Sequence, residues 1–215
     1  SSLGATYGVL SGRAIWFKPS LPVMFIISAV AGGTALTLLA TLLTGKLSRR
    51  RYVSDELRHS MARLTGFALL AYLYLKLWDW AATSYYAHSP GTADALARLA
   101  VTSPYQSTFW WFEVLLAGVI PAVILLAARL RRDDRLLMMA LGLIVAGVVV
   151  NRWNVTLSGL VAPPHWSPGV LGNVTAAAYF PSPVEIAVAL GIIGYALLAF
   201  TLGARYLPLF PHGEQ

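Results

Sequence analysis

Five long apolar stretches constrain this sequence more than any other feature. Each is about as long as the roughly 20 residues that a helix needs to cross the hydrocarbon core of a bilayer. The predicted spans are residues 21–44, 61–83, 109–130, 136–153 and 184–206. Backbone N–H and C=O groups find no water in lipid, and a helix satisfies them within a single segment. The sequence therefore predicts an all-α integral membrane protein of about five transmembrane helices, with residues 1–215 as a single transmembrane domain.

Composition narrows the classes of function. Hydrophobic residues make up 57% of the chain and charged residues 12%, and cysteine is absent. Without cysteine the chain supplies no thiolate ligand for zinc or an iron-sulfur cluster. The four histidines, at positions 59, 88, 165 and 212, fall in predicted loops or at helix edges, which argues against bis-histidine haem. We therefore expect this chain to bind no cofactor and any redox centre to belong to a partner.

The basic residues indicate an orientation rather than a nucleic-acid partner. The net charge is +7, but Lys and Arg occur in short runs between apolar spans instead of along one continuous face. Basic residues concentrate in loops on the cytoplasmic side of a membrane. Two loops are rich in them, with Lys46, Arg49, Arg50, Arg51, Arg58 and Arg63 in one and Arg129, Arg131, Arg132 and Arg135 in the other. These loops are predicted to be cytoplasmic, which places the N-terminal segment outside and the C-terminus inside.

Proline and glycine positions predict local features of the spans. Pro121 lies in the middle of the third span, where it should kink the helix, and we interpret this as a packing feature. Gly32, Gly33, Gly142 and Gly147 suit close helix packing in lipid, because small residues let backbones approach each other. The chain begins at Ser1 without a leader-like segment, and we expect it to be part of a longer protein.

Ionisable residues inside the spans are the candidate site, because charges in a membrane are costly and often functional. They are Lys76, Asp79, Glu113, Arg152 and Glu185, and the predicted topology places all of them toward the outer side. One interpretation is a polar cavity that opens outward, in which Glu113 and Glu185 exchange protons. The other is structural: Lys76 and Asp79, three residues apart, form a local ion pair while the rest reach water. We favour the ion pair for Lys76 and Asp79, and the functional role for Glu113.

Several short motifs occur in a fixed order along nearly the whole chain. They are Ser1-Ser-Leu-Gly4, Trp16, Leu21-Pro22 with Ser28 and Gly32, Phe112-Glu113 with Gly118 and Pro121, Asn151-Arg152-Trp-Asn154-Val155, Tyr179-Phe-Pro-Ser-Pro-Val-Glu185, and Leu207-Pro208. In this order they resemble the NrfD and polysulfide reductase membrane-subunit family, and most closely its hydrogenase-2-type branch. The resemblance covers the C-terminal half of such a subunit.

The resemblance implies a membrane anchor that is not catalytic alone. Such a subunit lies in the bacterial cytoplasmic membrane. It exchanges electrons between a quinone, which is menaquinone or ubiquinone, and a ferredoxin-like iron-sulfur subunit outside the cytoplasm. That partner serves a hydrogenase, a molybdenum enzyme or a multihaem cytochrome c. The resemblance implies about ten spans in two bundles, with the quinone site usually assigned to the N-terminal bundle, whereas this chain corresponds to the second bundle. The resemblance therefore extends at most to Glu113, Arg152 and Glu185, as proton-path or structural residues.

Three functions are compatible with the sequence. The leading hypothesis is a quinone-linked subunit in which Lys76, Asp79, Glu113, Arg152 and Glu185 line a proton path or lie near the quinone. The second is a passive scaffold that docks an iron-sulfur partner through the outer loops, residues 87–108 and 157–183. The third, a secondary transporter, is less favoured because the sequence shows neither internal repeats nor broken helices at the midplane.

Overall fold

The computed structural model describes residues 2–10, 16–49, 52–86, 108–161 and 181–206, and the regular structure in these ranges is helical. The helices in chain order are α1 (Ser2–Gly8), α2 (Ser20–Ser48), α3 (Asp55–Tyr86), a π-helix (Thr108–Val119) that continues as α4 (Ile120–Leu126), a 3-10 turn (Leu130–Arg132), α5 (Asp134–Val161) and α6 (Pro183–Tyr206). The chain divides into two compact units, Ser1–Ala177 and Ala178–Gln215, which are described separately. The predicted all-α class is confirmed.

Four of the described helical stretches are long and apolar enough to cross a membrane. They are Ser20–Ser48, Phe109–Leu126, Asp134–Thr156 and Pro183–Gly203, and they correspond to four of the predicted spans. The remaining predicted span, residues 61–83, lies within α3. Helix α3 has ample length at 32 residues, but its charged Lys76 and Asp79 make it less apolar, and it is not among the four. The chain is a multi-pass membrane protein, and the fifth crossing stays a prediction.

Helix α2 satisfies most of its polar groups locally. The hydroxyls of Thr34, Thr37 and Thr41 each donate to the backbone carbonyl four residues earlier, at 2.8, 2.9 and 2.8 Å. Such bonds keep a hydroxyl satisfied where no water is present. The helix ends at Arg49, whose φ of 53° is left-handed and whose backbone N–H donates to the Gly45 carbonyl. A threonine-rich helix can therefore remain within lipid.

The first unit is held together by a core in which helices approach each other closely. Its fully buried side chains are Leu38, Leu125, Leu137, Leu141 and Ile144. A Cβ added to Gly147 would collide with the side chain of Ala117, and one added to Gly32 would lie 3.0 Å from Val148. A Cβ added to Gly33 or Gly142 would meet no described residue of another segment within 4 Å. The close-packing prediction is therefore confirmed for Gly32 and Gly147 and stays a prediction for Gly33 and Gly142.

The third span changes its helical type at proline. The π-helix ends at Val119, and Pro121 lies in the first turn of α4. Proline has no N–H, so an α-helix running through this position would leave one carbonyl of the preceding turn without its donor. The sequence predicts an irregularity at Pro121, and the structure has one there. What the sequence did not predict is the wide helix before it, which carries Glu113.

A short N-terminal helix packs against the end of the bundle where Asp79 lies. Tyr7 of α1 contacts the Trp16 ring, with centroids 4.7 Å apart, and the edge of the Phe25 ring at 6.5 Å. The indole Nε1 of Trp16 donates to the backbone carbonyl of Val155 at 2.8 Å. This bond ties the segment before α2 to α5. The motif residue Trp16 thus has a structural role in joining two helices.

The second unit contains α6, and its helix start is capped by its own residues. The backbone N–H and the hydroxyl of Ser182 donate to Oε2 of Glu185 at 2.6 and 2.9 Å, and the Glu185 N–H donates to the Ser182 hydroxyl at 3.3 Å. This reciprocal arrangement is a capping box, with Pro183 at the first helical position. Pro183 is the first residue of the helix. The role of Glu185 in a proton path stays a prediction.

Candidate functional site

The centre of the candidate site is the carboxylate of Glu113, on the π-helix. Only 3% of Glu113 is exposed. Its Oε1 accepts hydrogen bonds from the Tyr72 hydroxyl at 3.0 Å, from Asn151 Nδ2 at 2.5 Å and from the Lys76 ammonium. Its Oε2 accepts one from Asn154 Nδ2 at 3.0 Å. The Glu113 carboxylate is therefore bonded to protein groups on both of its oxygens and does not extend to water.

Helical spacing brings the four donors to one carboxylate. Tyr72 and Lys76 are four residues apart on α3, and Asn151 and Asn154 are three apart on α5. Residues at these spacings share one helix face. The π-helix places Glu113 against both faces at once. The Lys76 ammonium also donates to the Tyr72 hydroxyl at 3.1 Å, so the two α3 side chains contact each other as well as Glu113.

The charges of Glu113 and Lys76 compensate each other in a buried setting. The two side chains form a salt bridge, with 2% and 12% of their respective surfaces exposed. A buried ion pair is tolerated when further hydrogen bonds satisfy its remaining lone pairs and protons. Tyr72, Asn151 and Asn154 supply these bonds. If the proton of the Lys76 ammonium moves to the Glu113 carboxylate, both groups become neutral and the net charge stays the same.

Arg152 extends the network from α5 to α2. Its Nη1 donates to the Asn151 side-chain oxygen at 3.1 Å, and its Nη2 donates to the Ser28 hydroxyl at 2.8 Å and the Phe25 carbonyl at 3.3 Å. The guanidinium carbon also lies 3.6 Å from the centre of the Phe25 ring, a cation–π contact. The prediction placed Arg152 at the end of its helix. That position is wrong, because α5 continues to Val161 and Arg152 bonds to protein groups.

Asp79 has partners other than the predicted one. Its Oδ2 accepts from the Lys18 ammonium at 2.6 Å, and its Oδ1 accepts from the Ser20 hydroxyl at 2.7 Å. Lys76, three residues earlier, is paired with Glu113 instead. The expected local ion pair between Lys76 and Asp79 is therefore wrong. The spacing rule identifies neighbours on one helix but not the stronger partners that an adjacent helix presents.

Aromatic rings cover the ammonium group of Lys76. The Nζ atom lies 4.8 Å from the centre of the Phe109 ring and 5.4 Å from that of Tyr72. Trp110 meets both Phe109 and Trp80 edge to face, with centroids 5.0 and 5.4 Å apart. Ring faces attract cations and exclude water. Lys76 is therefore held by a carboxylate and by aromatic faces together.

A small cavity adjoins the carboxylate. Its volume is about 20 Å³, enough for about one water molecule. Its polar lining comes from Ser28, Tyr72, Glu113 and Asn151. A water there would have the two to four polar partners that buried waters require. The arrangement is therefore able to pass a proton between a buried carboxylate and a trapped water.

The structure brings together three of the five predicted site residues directly. Lys76, Glu113 and Arg152 belong to one network, Asp79 lies one helical turn from Lys76, and Glu185 lies in the second unit. Sequence reasoning missed Tyr72, Asn151 and Asn154 because it considered only charged residues. The available signal was the pair of asparagines, three apart in an otherwise apolar span. Among the described residues, no three His, Asp or Glu side chains come together as a metal site.

Similar proteins place the chain in a family. Residues 1–164 match the sequence family described as polysulphide reductase, NrfD. The chain is 30% identical over its whole length to the integral membrane subunit of menaquinone reductase from Nitratidesulfovibrio vulgaris, covering 51% of that protein. It is 24% identical to an Hdr-like menaquinol oxidoreductase integral membrane subunit from Archaeoglobus fulgidus, over 98% of this chain and 54% of the relative.

Another relative is a probable Ni/Fe-hydrogenase 2 b-type cytochrome subunit from Escherichia coli, 33% identical over 54% of this chain and 27% of the relative. No solved structure matches the chain. The chain spans about half the length of the first curated relatives it matches. Because the family match covers most of the chain, and because the order of its motifs and its helical membrane fold agree with that match, the chain belongs to the NrfD family of membrane subunits.

Proposed function

We propose that this chain is part of the membrane subunit of a quinone-linked respiratory oxidoreductase, and that Glu113 takes up and releases protons during quinone turnover. The observation that carries the proposal is the buried Glu113 carboxylate, with four donors and a water-sized cavity beside it. Ionisable groups inside membrane spans commonly mark proton pathways. Two of the relatives are named for menaquinone or menaquinol, which supports a quinone as the substrate.

Quinone chemistry explains why such a subunit needs a proton site. Reducing a quinone to a quinol takes up protons together with electrons, and oxidising a quinol releases both. In the proposal, a ferredoxin-like iron-sulfur subunit on the outer side carries the electrons and a hydrogenase, molybdenum or multihaem cytochrome subunit completes the complex. The residues of this chain then handle protons. Lys76 donates to Glu113, and the Tyr72 hydroxyl contacts both groups, so a proton has a short route between them.

The path extends toward the end of the bundle that carries Asp79. Asp79 is one turn along α3 from Lys76 and is bonded to Lys18 and Ser20. On the other side of the carboxylate, Asn151 and Arg152 connect it to Ser28, which lines the cavity. In this proposal Asp79 is the group nearer the outer water phase, and Arg152 holds Asn151 and Ser28 in place.

The test is to replace Glu113 by Gln in the full-length protein within its complex. We expect quinone-linked turnover and proton translocation to fall by at least tenfold, because the amide has nearly the same shape but cannot take up a proton. Glu56→Gln, at an exposed glutamate in the first turn of α3, is the matched control and should leave both unchanged. Undiminished proton translocation in the Glu113→Gln complex would remove Glu113 from the mechanism.

A passive scaffold is the competing function, and one observation favours it. The Lys76–Glu113 and Lys18–Asp79 pairs each join separate segments of the chain, as structural ion pairs do. The two functions differ in what Glu113→Gln changes. If the pairs serve only structure, the variant complex will lose subunits or unfold at lower temperature while each intact complex turns over normally. If Glu113 carries protons, intact variant complexes will assemble and turn over slowly.

A further inference from the structure

A second and larger cavity lies near the opposite end of the helices from Asp79. It is formed by the end of α2, the start of α3 and the start of α5, with a volume of about 470 Å³. Thr41 on its wall is 13 residues along α2 from Ser28, which corresponds to about 20 Å of helix. The two cavities share no lining residue. This cavity is therefore separate from the Glu113 site.

Positive charge predominates in its lining. Lys46, Arg49, Arg58 and Arg135 face two acidic residues. Both of these acids are paired with Arg58, Asp134 at 2.7 Å and Asp55 at 3.9 Å. Four basic and two acidic side chains leave a net charge of +2. Lys46, Arg49 and Arg135 are exposed and have no ion-pair partner among the described residues. Three cationic side chains thus line the cavity, and none of them is paired with a described carboxylate.

Two further features favour a ligand. The buried Nε of Arg58 has no hydrogen-bond partner in the described part of the chain. Arg49 has a left-handed backbone conformation, which non-glycine residues adopt rarely and at an energetic cost. A glycine would end α2 more easily there but would supply no charge. The Arg49 guanidinium therefore lies at the rim of the cavity despite an unfavourable backbone conformation. The Arg58 Nε remains a hydrogen-bond donor without an acceptor among the described residues.

The walls of the cavity are partly apolar. Leu42, Val53 and Met138 line it together with the basic side chains. Cavities of several hundred Å³ with apolar walls and a few polar groups are typical of small-ligand sites. Here cationic groups outnumber acidic ones and lie at the ends of α2, α3 and α5. An amphiphile with a negatively charged head fits both features, and basic pockets between membrane helices bind anionic lipid head groups.

We propose that this cavity binds a phosphate group, supplied by the head of an anionic phospholipid such as phosphatidylglycerol. Lys46, Arg49 and Arg135 contact the phosphate oxygens, and the Arg58 Nε contributes a further donor. Arginine presents a planar fork that matches phosphate geometry, which explains three guanidinium groups at one site. Leu42 and Met138 contact the first methylene groups of the acyl chains. Free phosphate has the same head-group chemistry without those chains.

The test uses the full-length protein in its purified complex. Binding of phosphatidylglycerol and of phosphatidylcholine is measured in mixed detergent micelles, with inorganic phosphate as a competitor. Phosphatidylglycerol should bind more tightly. Lys46→Gln with Arg135→Gln should weaken that binding on the order of tenfold or more, since each basic residue near a membrane contributes appreciably to anionic lipid binding. Arg132→Gln is the matched control, because Arg132 is exposed in the neighbouring turn but does not line the cavity.

The outcomes separate the sources of the phosphate. If millimolar inorganic phosphate displaces phosphatidylglycerol, the site is a phosphate site that free anions occupy; if it does not, the lipid is the ligand. Equal binding of the two lipids overturns the proposal. An equal loss in Arg132→Gln and in the double variant also overturns it, because the effect is then general surface charge. Lys46→Gln alone, at an exposed side chain, keeps the test informative if the double variant does not assemble.

Discussion

At the scale of single residues, the sequence identified Glu113 as a candidate because it is an acidic residue inside an apolar span. The structure buries it, and its role in proton transfer stays a prediction. Its partners were less predictable. Lys76 was assigned to Asp79 because local spacing is visible in a sequence, whereas contacts between helices are not. Tyr72, Asn151 and Asn154 are uncharged, and their importance follows only from their shared contact with one carboxylate.

Replacing Lys76 should lower the free energy of unfolding more than replacing Tyr72. Lys76→Met leaves a buried carboxylate without its countercharge, and breaking a buried ion pair costs about 3–5 kcal/mol. Tyr72→Phe removes one neutral donor and should cost about 1–2 kcal/mol. Thermal unfolding of the purified complex measures both. Tyr74→Phe, at a tyrosine that is 67% exposed, should change the unfolding midpoint little.

The double variant Lys76→Met with Glu113→Leu provides a further check on this assignment. Replacing both members of a buried pair by apolar residues is often neutral or even stabilising. Stability should therefore recover relative to Lys76→Met alone. If the double variant loses, relative to the unsubstituted protein, the sum of the two single-variant losses, the two side chains act independently and the buried pair is not the source of the effect.

At the scale of elements, the apolar spans were predictable and their internal geometry was not. Length and hydropathy define where a helix can cross a membrane, so α2, the π-helix with α4, α5 and α6 were found close to their observed positions. Periodicity cannot separate a π-helix from an α-helix in a segment that is apolar on nearly all sides. Only Pro121 signalled an irregularity. The π-helix around Glu113 packs against α3 and α5, and such contacts between helices cannot be read from the pattern of residues along the sequence.

The contact between α5 and the π-helix should be sensitive to size at one glycine. Gly147→Leu places a side chain where Ala117 already lies, so the helices must separate and carry Glu113 away from Asn151. We expect a loss of about 1–3 kcal/mol in stability, as for overpacked cores, together with reduced quinone-linked turnover. Gly142→Leu is the control on the same helix, because a Cβ added there meets no described residue of another segment within 4 Å. A larger effect at Gly142 than at Gly147 would contradict the assignment.

At the scale of the whole molecule, the family and the membrane class were both accessible from the sequence. Two of the motif residues, Trp16 and Asn151, form hydrogen bonds that join separate segments of the chain. The orientation rests on the distribution of Lys and Arg alone and stays a prediction.

The orientation can be measured by labelling single cysteines in the full-length protein, since this chain has none of its own. Ser54→Cys lies between α2 and α3 and should react with an impermeant thiol reagent only after the cytoplasmic side is opened. Val9→Cys, 72% exposed near the end of α1, should react from outside in intact cells. The unsubstituted protein is the background control. The reverse pattern would invert the topology.

The Glu113 network also has a consequence for how the subunit is built. Its members come from the π-helix, α3 and α5, and Arg152 of α5 connects the network to Ser28 of α2. No two of these helices satisfy the carboxylate by themselves. If the spans insert but pack incorrectly, the Glu113 carboxylate is left as an unpaired charge in hydrocarbon, which is strongly unfavourable. The contacts that compensate the Glu113 charge therefore form only when these helices pack correctly, so assembly of the bundle and formation of the proposed proton site occur together.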